Sequence, residues 1–232
     1  MNRARIPWLS PSAVRAALVA AVAATALSGC GTHPGSAAVV GDTSISVDQV
    51  DAAAGALCSA NSAGDQTTGE LSSRAARQAA MQFLIDSELS RQFAEDEGVE
   101  PDEGEVSATV AQNAAGIRAL PEDQREDFRE LLVGFRESEL VLAEIGLLSL
   151  QEQGTAEPAP EEASAEGARL RAQWAEAIDV EVDPRFGTYA QGALSPTSGS
   201  LSIPVSAGAR AGSAADPGAS WIAGLPASQK CA

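Results

Sequence analysis

The sequence predicts a mainly α fold: an elongated helical module with a small β element near its start and a low-complexity C-terminal tail. Three observations carry this reading. Apolar residues recur at helical spacing through the middle of the 232-residue chain, helix-start signals precede those runs, and aromatic residues make up only 4%. Helical spacing puts apolar side chains on one stripe that must be buried, and so little aromatic bulk suits a modest core.

The elements follow in chain order. Ala38-Val39-Val40 reads as a short strand, Gly41-Asp42 as a turn and Thr43-Ser44-Ile45 as its return. Ser46 with Gln49 forms a capping box, flanked by Ile45 and Val50 as a hydrophobic staple. A first helix therefore runs from Val47 to about Cys58 or just beyond. Thr67 with Glu70 gives a second capping box, opening a helix to about Glu97 with a stripe of Met81, Leu84, Ile85, Leu89 and Phe93. Gly98 stops it. Asp102 with Glu105 starts a third helix carrying Val106, Val110 and Ile117, and Pro121 stands at the first helical position of a fourth. That helix reaches about Gln153, with Phe128, Leu131, Leu132, Phe135, Leu142 and Ile145 as its buried face. Residues 154–162 read as a Pro/Ala/Glu linker. A helix from about Ala163 to Ile178 spaces Leu170, Trp174 and Ile178 by four, and Val180-Glu181-Val182 reads as a strand. From residue 188 onward Gly, Ser, Ala and Pro dominate, which predicts a loosely ordered tail over 188–232.

The first thirty residues have a different design. Arg3, Arg5 and Arg15 precede an apolar run from Ala16 to Leu27, short for a membrane span and suited to a signal peptide. The run ends in Leu27-Ser28-Gly29-Cys30, which matches a bacterial lipobox. The expectation is a signal peptide over 1–29, lipidation of Cys30 by diacylglyceryl and palmitate-type chains, and a polar tether to residue 36. The mature protein would then sit on the extracytoplasmic face of the cell membrane, held by its lipid. The alternative is an ordinary signal peptide cut nearby, with Cys30 a bystander.

Removal of residues 1–29 would leave twelve basic side chains against thirty-two acidic ones. So acidic a balance argues against nucleic-acid binding, where a basic patch is needed. Lipidation of Cys30 would leave Cys58 and Cys231 as an even pair in an oxidising compartment. A Cys58–Cys231 disulfide is then the one intramolecular pairing available, with two free thiols or intermolecular pairing as alternatives.

Catalytic and metal signals are weak. The sole histidine, His33, sits in the tether, so neither a Ser-His-Asp triad nor a histidine-rich metal site can be assembled. Glu95-Asp96-Glu97 and Glu122-Asp123 read as solvated helix ends, and Asp102-Glu103-Gly104-Glu105 lacks EF-hand spacing. No phosphate-binding glycine loop is present. The sequence predicts no catalytic residue, no cofactor and no metal. Trp174, Phe186, Tyr189 and Trp221 are candidates either for core packing or for a peptide groove, with Trp221 docking back on the helices or engaging a partner.

The lipobox, the opening Ala38-Val39-Val40-Gly41-Asp42-Thr43-Ser44-Ile45-Ser46, and four helices with Gly98-Val99-Glu100-Pro101-Asp102 between the second and third together resemble the N-terminal chaperone domain of SurA-type proteins. The later run from Trp174 through Val180-Glu181-Val182-Asp183-Pro184-Arg185-Phe186-Gly187 is similar to the closing segment of actinobacterial forms. The resemblance spans residues 37–187. It implies that the last helix returns to the N-terminal helices and that a short strand joins the first one. It also implies a departure: the parvulin isomerase domain that normally accompanies this module has no room between the fourth helix and the Trp174 helix. Two roles follow as expectations. One is a non-catalytic, chaperone-like holder of unfolded or newly exported polypeptides. The other is a structural or adaptor lipoprotein that binds one envelope protein.

Overall fold

A computed structural model describes residues 35–63, 70–195, 203–214 and 217–231. Cys30, His33 and Thr67, and with them the signal peptide and lipidation site, lie outside these residues. The described residues belong to one compact unit, Gly35–Ala232.

The unit opens with strands β1 (Ser36–Val40) and β2 (Thr43–Ser46), joined by a two-residue turn. Gly41 takes φ 57°, a backbone state that glycine adopts without steric cost and that the first position of a II′ hairpin turn requires. Strand β3 (Val180–Val182) pairs antiparallel on the other side of β1, giving the order β2-β1-β3. The closing strand thus joins the first one, as the resemblance implies. The first capping box is reciprocal: Ser46 N–H donates to Gln49 Oε1 at 2.8 Å, and Gln49 N–H to Ser46 Oγ at 3.1 Å. Helix α1 (Val47–Ala63) continues past Cys58, and near its end Ser62 donates its hydroxyl to the Cys58 carbonyl at 3.0 Å.

Helix α2 (Ser73–Glu97) starts later than its expected capping box. Ser72 is the cap, with Oγ accepting from Ala75 N–H at 3.1 Å. The preceding backbone is engaged elsewhere: the Leu71 carbonyl accepts Cys231 N–H at 2.8 Å, and Ser72 bridges Lys230. Gly98 ends the helix in the left-handed region, φ 69°.

The expected third helix is two, α3 (Glu103–Gln112) and α4 (Ala114–Ala119). Asn113 makes the break by turning its side-chain amide onto the Thr109 carbonyl at 2.8 Å. Pro121 is extended and precedes a 3₁₀ turn, Glu122–Gln124, so α5 (Arg125–Glu152) begins four residues beyond it. With 28 residues α5 is about 42 Å long. Its buried face holds Leu131, Val141, Ile145, Gly146 and Leu150. Phe135, expected in that face, is 51% exposed. Its neighbour Gly134 lies instead on the side of α5 turned to Phe83 and Ser87 of α2.

Helix α6 (Pro160–Ala175) begins three residues early because Pro160 is pre-set for the first turn. It returns along α5 and touches α2. The crossing is set by small residues. A Cβ on Gly146 would run into the Ala163 carbonyl, and one on Gly167 into the Leu142 carbonyl.

The tail is more structured than its composition suggests. Strands β4 (Thr188–Ala190) and β5 (Ala193–Ser195) form a hairpin, followed by α7 (Ala207–Gly212), α8 (Ala219–Ala223) and a 3₁₀ turn at Ala227–Gln229. Its anchors are specific. Leu194 N–H donates to Gln82 Oε1 at 2.6 Å, Arg74 to the Gly212 carbonyl at 2.9 Å, and Cys231 is bonded to Cys58 across 173 positions.

The core lies where α1, α2 and the sheet meet. Val40, Val50, Met81 and Ile85 are fully buried, with Leu131 and Phe186 closing its sides. Among the described residues no helix is long and apolar enough to cross a membrane.

Candidate functional site

The four aromatics that the sequence offered as a groove do not share one site, although Phe186 and Trp221 line the same concavity. Trp174 lines a concavity of about 620 Å³ between α2, α5 and α6, packs on Phe93 with centroids 5.5 Å apart, and donates from Nε1 to Asp96 at 2.8 Å. Phe186 is buried in the core, and Tyr189 lines a separate hollow beside α6. Trp221 docks within the tail: its Nε1 donates to the Gly208 carbonyl at 2.9 Å and its ring covers Gly212.

The concavity beside Trp221 is lined by Arg74, Arg77 and Arg185. Each guanidinium has a partner within the chain: Gly212 for Arg74, Asp51 for Arg77 at 2.8 Å, and Asp183 for Arg185 at 2.8 Å. Arg185 in turn holds the Asp183 carboxyl below the usual aspartate range. Of the three, Arg74 reaches the tail, whereas Arg77 ties α2 to α1 and Arg185 pairs locally.

A different groove combines features suited to a chain-like ligand. It holds about 410 Å³ and lies between β2, α2, the Val99-Glu100-Pro101 turn and α5. Its floor is aliphatic: Ile45 from β2, Leu84 and Ala94 from α2, Val141 from α5. Gly134 and Ser138 keep the α5 wall low. Four glutamates, Glu88, Glu95, Glu100 and Glu137, surround a single arginine, Arg91. Helical spacing places Leu84, Glu88 and Arg91 on one face of α2, and the capped start of α1 fixes β2 beside them.

A polar lattice holds the β2 edge in place. Glu88 accepts from Arg91 at 2.5 Å and from Gln92 at 2.6 Å. Gln92 also donates to the Val40 carbonyl at 3.0 Å, so α2 is bonded to the hairpin. Burial pushes the Glu88 carboxyl up, but hydrogen bonds from Arg91, Gln92 and Thr43 outweigh it and hold its pKa below the usual glutamate range. Arg91 also pairs with Glu95, so its charge is neutralised twice over. The groove is therefore anionic as well as apolar.

Among the described residues no group of three or more His, Cys, Asp or Glu side chains is placed to hold a metal ion. This groove is not legible residue by residue, because its lining comes from three stretches far apart in sequence, 43–49, 84–101 and 134–141. The one visible signal was that its hairpin and its Gly98–Asp102 turn both fall within the runs that carry the family resemblance.

The family model described as SurA-like N-terminal domain matches residues 10–132, more than half of the chain. The chain belongs to this family. The match takes in β1 to α4 and the first turns of α5, hence most of the groove. SurA-like N-terminal domains are of the chaperone type. The chain lacks a parvulin domain at the expected insertion point: only residues 153–159 separate α5 from α6. Comparisons with curated proteins and with solved structures returned no match.

Proposed function

We propose that this SurA-like protein is a lipoprotein, tethered through Cys30 on the extracytoplasmic membrane face, that holds unfolded or newly exported polypeptides without chemical turnover. The observation that carries the binding role is the groove itself. An aliphatic floor beside a strand edge offers burial to any extended apolar segment, and burial is the non-selective term that an unfolded client supplies. The glutamate rim keeps the site wetted while it is empty. The anchor rests on Arg3, Arg5, the Ala16–Leu27 run and the Leu27-Ser28-Gly29-Cys30 lipobox.

The test is aggregation of a reduced, unfolded model protein in the presence of the purified full chain. Stoichiometric suppression, with no acceleration of prolyl isomerisation, is the expected result. Saturable capture of one envelope protein, together with indifference to unfolded chains, would replace this reading with the adaptor role. Metabolic labelling with palmitate tests the anchor: label should enter the native chain and disappear in Cys30→Ser.

A further inference from the structure

We infer that the groove takes its client as an added β-strand, and that the preferred segment alternates apolar and basic side chains. This rests on the polypeptide-binding reading above and adds the shape and charge of what is bound.

Among the described residues the strand order β2-β1-β3 leaves β2 paired on one side only. Its other side opens on the groove, which Thr43, Ser44 and Ile45 line. The register decides which backbone groups are offered. Val40 pairs with Thr43 across a two-residue turn, and Val39 pairs with Ser44 next. In an antiparallel hairpin the pair closing such a turn exchanges hydrogen bonds and the following pair does not. The Ser44 N–H and C=O therefore point away from β1, toward the open edge. An unpaired edge is a template for another strand.

Charge selects among extended segments. Of the five ionisable side chains lining the groove four are glutamates, and the fifth, Arg91, is already bonded to Glu88 and Glu95. Glu100 and Glu137 are exposed on different elements of the lining, one on the turn after α2 and one on α5. A strand on the β2 edge sends alternate side chains to opposite faces. The set turned inward reaches Ile45, Leu84 and Val141, and the set turned outward meets the exposed Glu100 and Glu137 at the rim, while Glu88 stays beside Leu84 within the groove, bonded to Arg91. Lysine or arginine in the second set is attracted, whereas glutamate or aspartate is repelled.

The experiment titrates the purified full chain with three short fluorescent peptides: alternating Leu/Lys, alternating Leu/Glu, and Leu/Lys with every second backbone nitrogen methylated. The Leu/Lys peptide should bind on the order of tenfold more tightly than either of the others. Ser44→Pro removes an N–H that β1 does not use and should weaken Leu/Lys binding by a similar factor, about tenfold. Glu100→Lys with Glu137→Lys leaves the backbone edge intact and should reverse the Lys-over-Glu preference, which keeps the inference testable if Ser44→Pro fails to fold. Equal binding of the Lys and Glu peptides overturns the charge assignment. Indifference to both backbone methylation and Ser44→Pro overturns strand addition in favour of a helical occupant. The same preparations enter the aggregation assay. Suppression without these peptide preferences sinks this inference alone, whereas loss of both client and peptide binding sinks the polypeptide-binding reading with it.

Discussion

The α5–α6 pair and the C-terminal segment are held to the rest of the molecule by opposite means. Between α5 and α6 the contact is close backbone approach, possible only because Gly146 and Gly167 carry no side chain. The C-terminal segment has few buried side chains, and its hold is a disulfide to α1, a backbone bond to Leu71 and polar contacts such as Lys230 with Glu70 at 3.3 Å. Packing needs shape over a long surface and fails when shape is spoiled. A covalent clasp needs one point and tolerates a poor surface around it. A segment so rich in Gly, Ser and Ala can be kept only by the second means, because it has too little apolar area for the first.

Breaking the clasp should have the largest effect. Cys231→Ser removes a cross-link between residues 173 apart, worth about 5 kcal/mol by the chain-entropy estimate and usually somewhat less in practice. Urea unfolding measures the loss. Hydrogen exchange should show residues 217–231 losing protection while α5 and α6 keep theirs, and uniform loss along the chain would contradict the division drawn here.

Spoiling the packing comes next and should give the converse pattern. Gly167→Val forces α6 away from the Leu142 carbonyl, at a cost of about 3 kcal/mol. Thermal unfolding should shift down by roughly 6–12 °C for a chain of this size. The Cys58–Cys231 bond should still form, as alkylation without reductant would show.

The smallest effect sharpens the comparison at the polar end of the helix pair. Arg169 holds the Glu166 carboxyl down to about 2; burial opposes this, and Gln153 and Ser149 add to it. A carboxyl with a folded pKa below its unfolded value stabilises above the unfolded value and loses that contribution as pH falls through the folded one. Glu166→Gln should therefore lower the melting temperature slightly at pH 6. The difference from the native chain should shrink below pH 4.5 and vanish as pH falls past about 2.

The helices follow their sequence signals where local groups act alone and depart from them where distant groups intervene. Ser46 and Gln49 cap α1 because every atom of the box lies within four residues. The start of α2 moved to Ser73 because residues 230 and 231 engage Leu71 and Ser72, which no local window contains. Phe135 follows the helical period yet lies exposed, while its neighbour Gly134 is the residue that faces Phe83 and Ser87 of α2. The candidate groove was the least legible feature. Its lining is short-range in space and long-range in sequence, running from Thr43 to Val141.

By itself, the sequence determined the fold class, the helix caps at Ser46 and Asp102, and the resemblance that the family match supports. These depend on spacing, turn chemistry and local hydrogen bonds, all of which are set within a few residues. Tertiary structure alone decided that the four aromatics divide among three concavities, that an aliphatic and glutamate-lined groove opens beside the β2 edge, and that the tail folds back through Arg74, Gln82 and Leu71. Those outcomes depend on which faces meet across the chain. That is settled by packing, and by a bond between Cys58 and Cys231 that no local pattern orients.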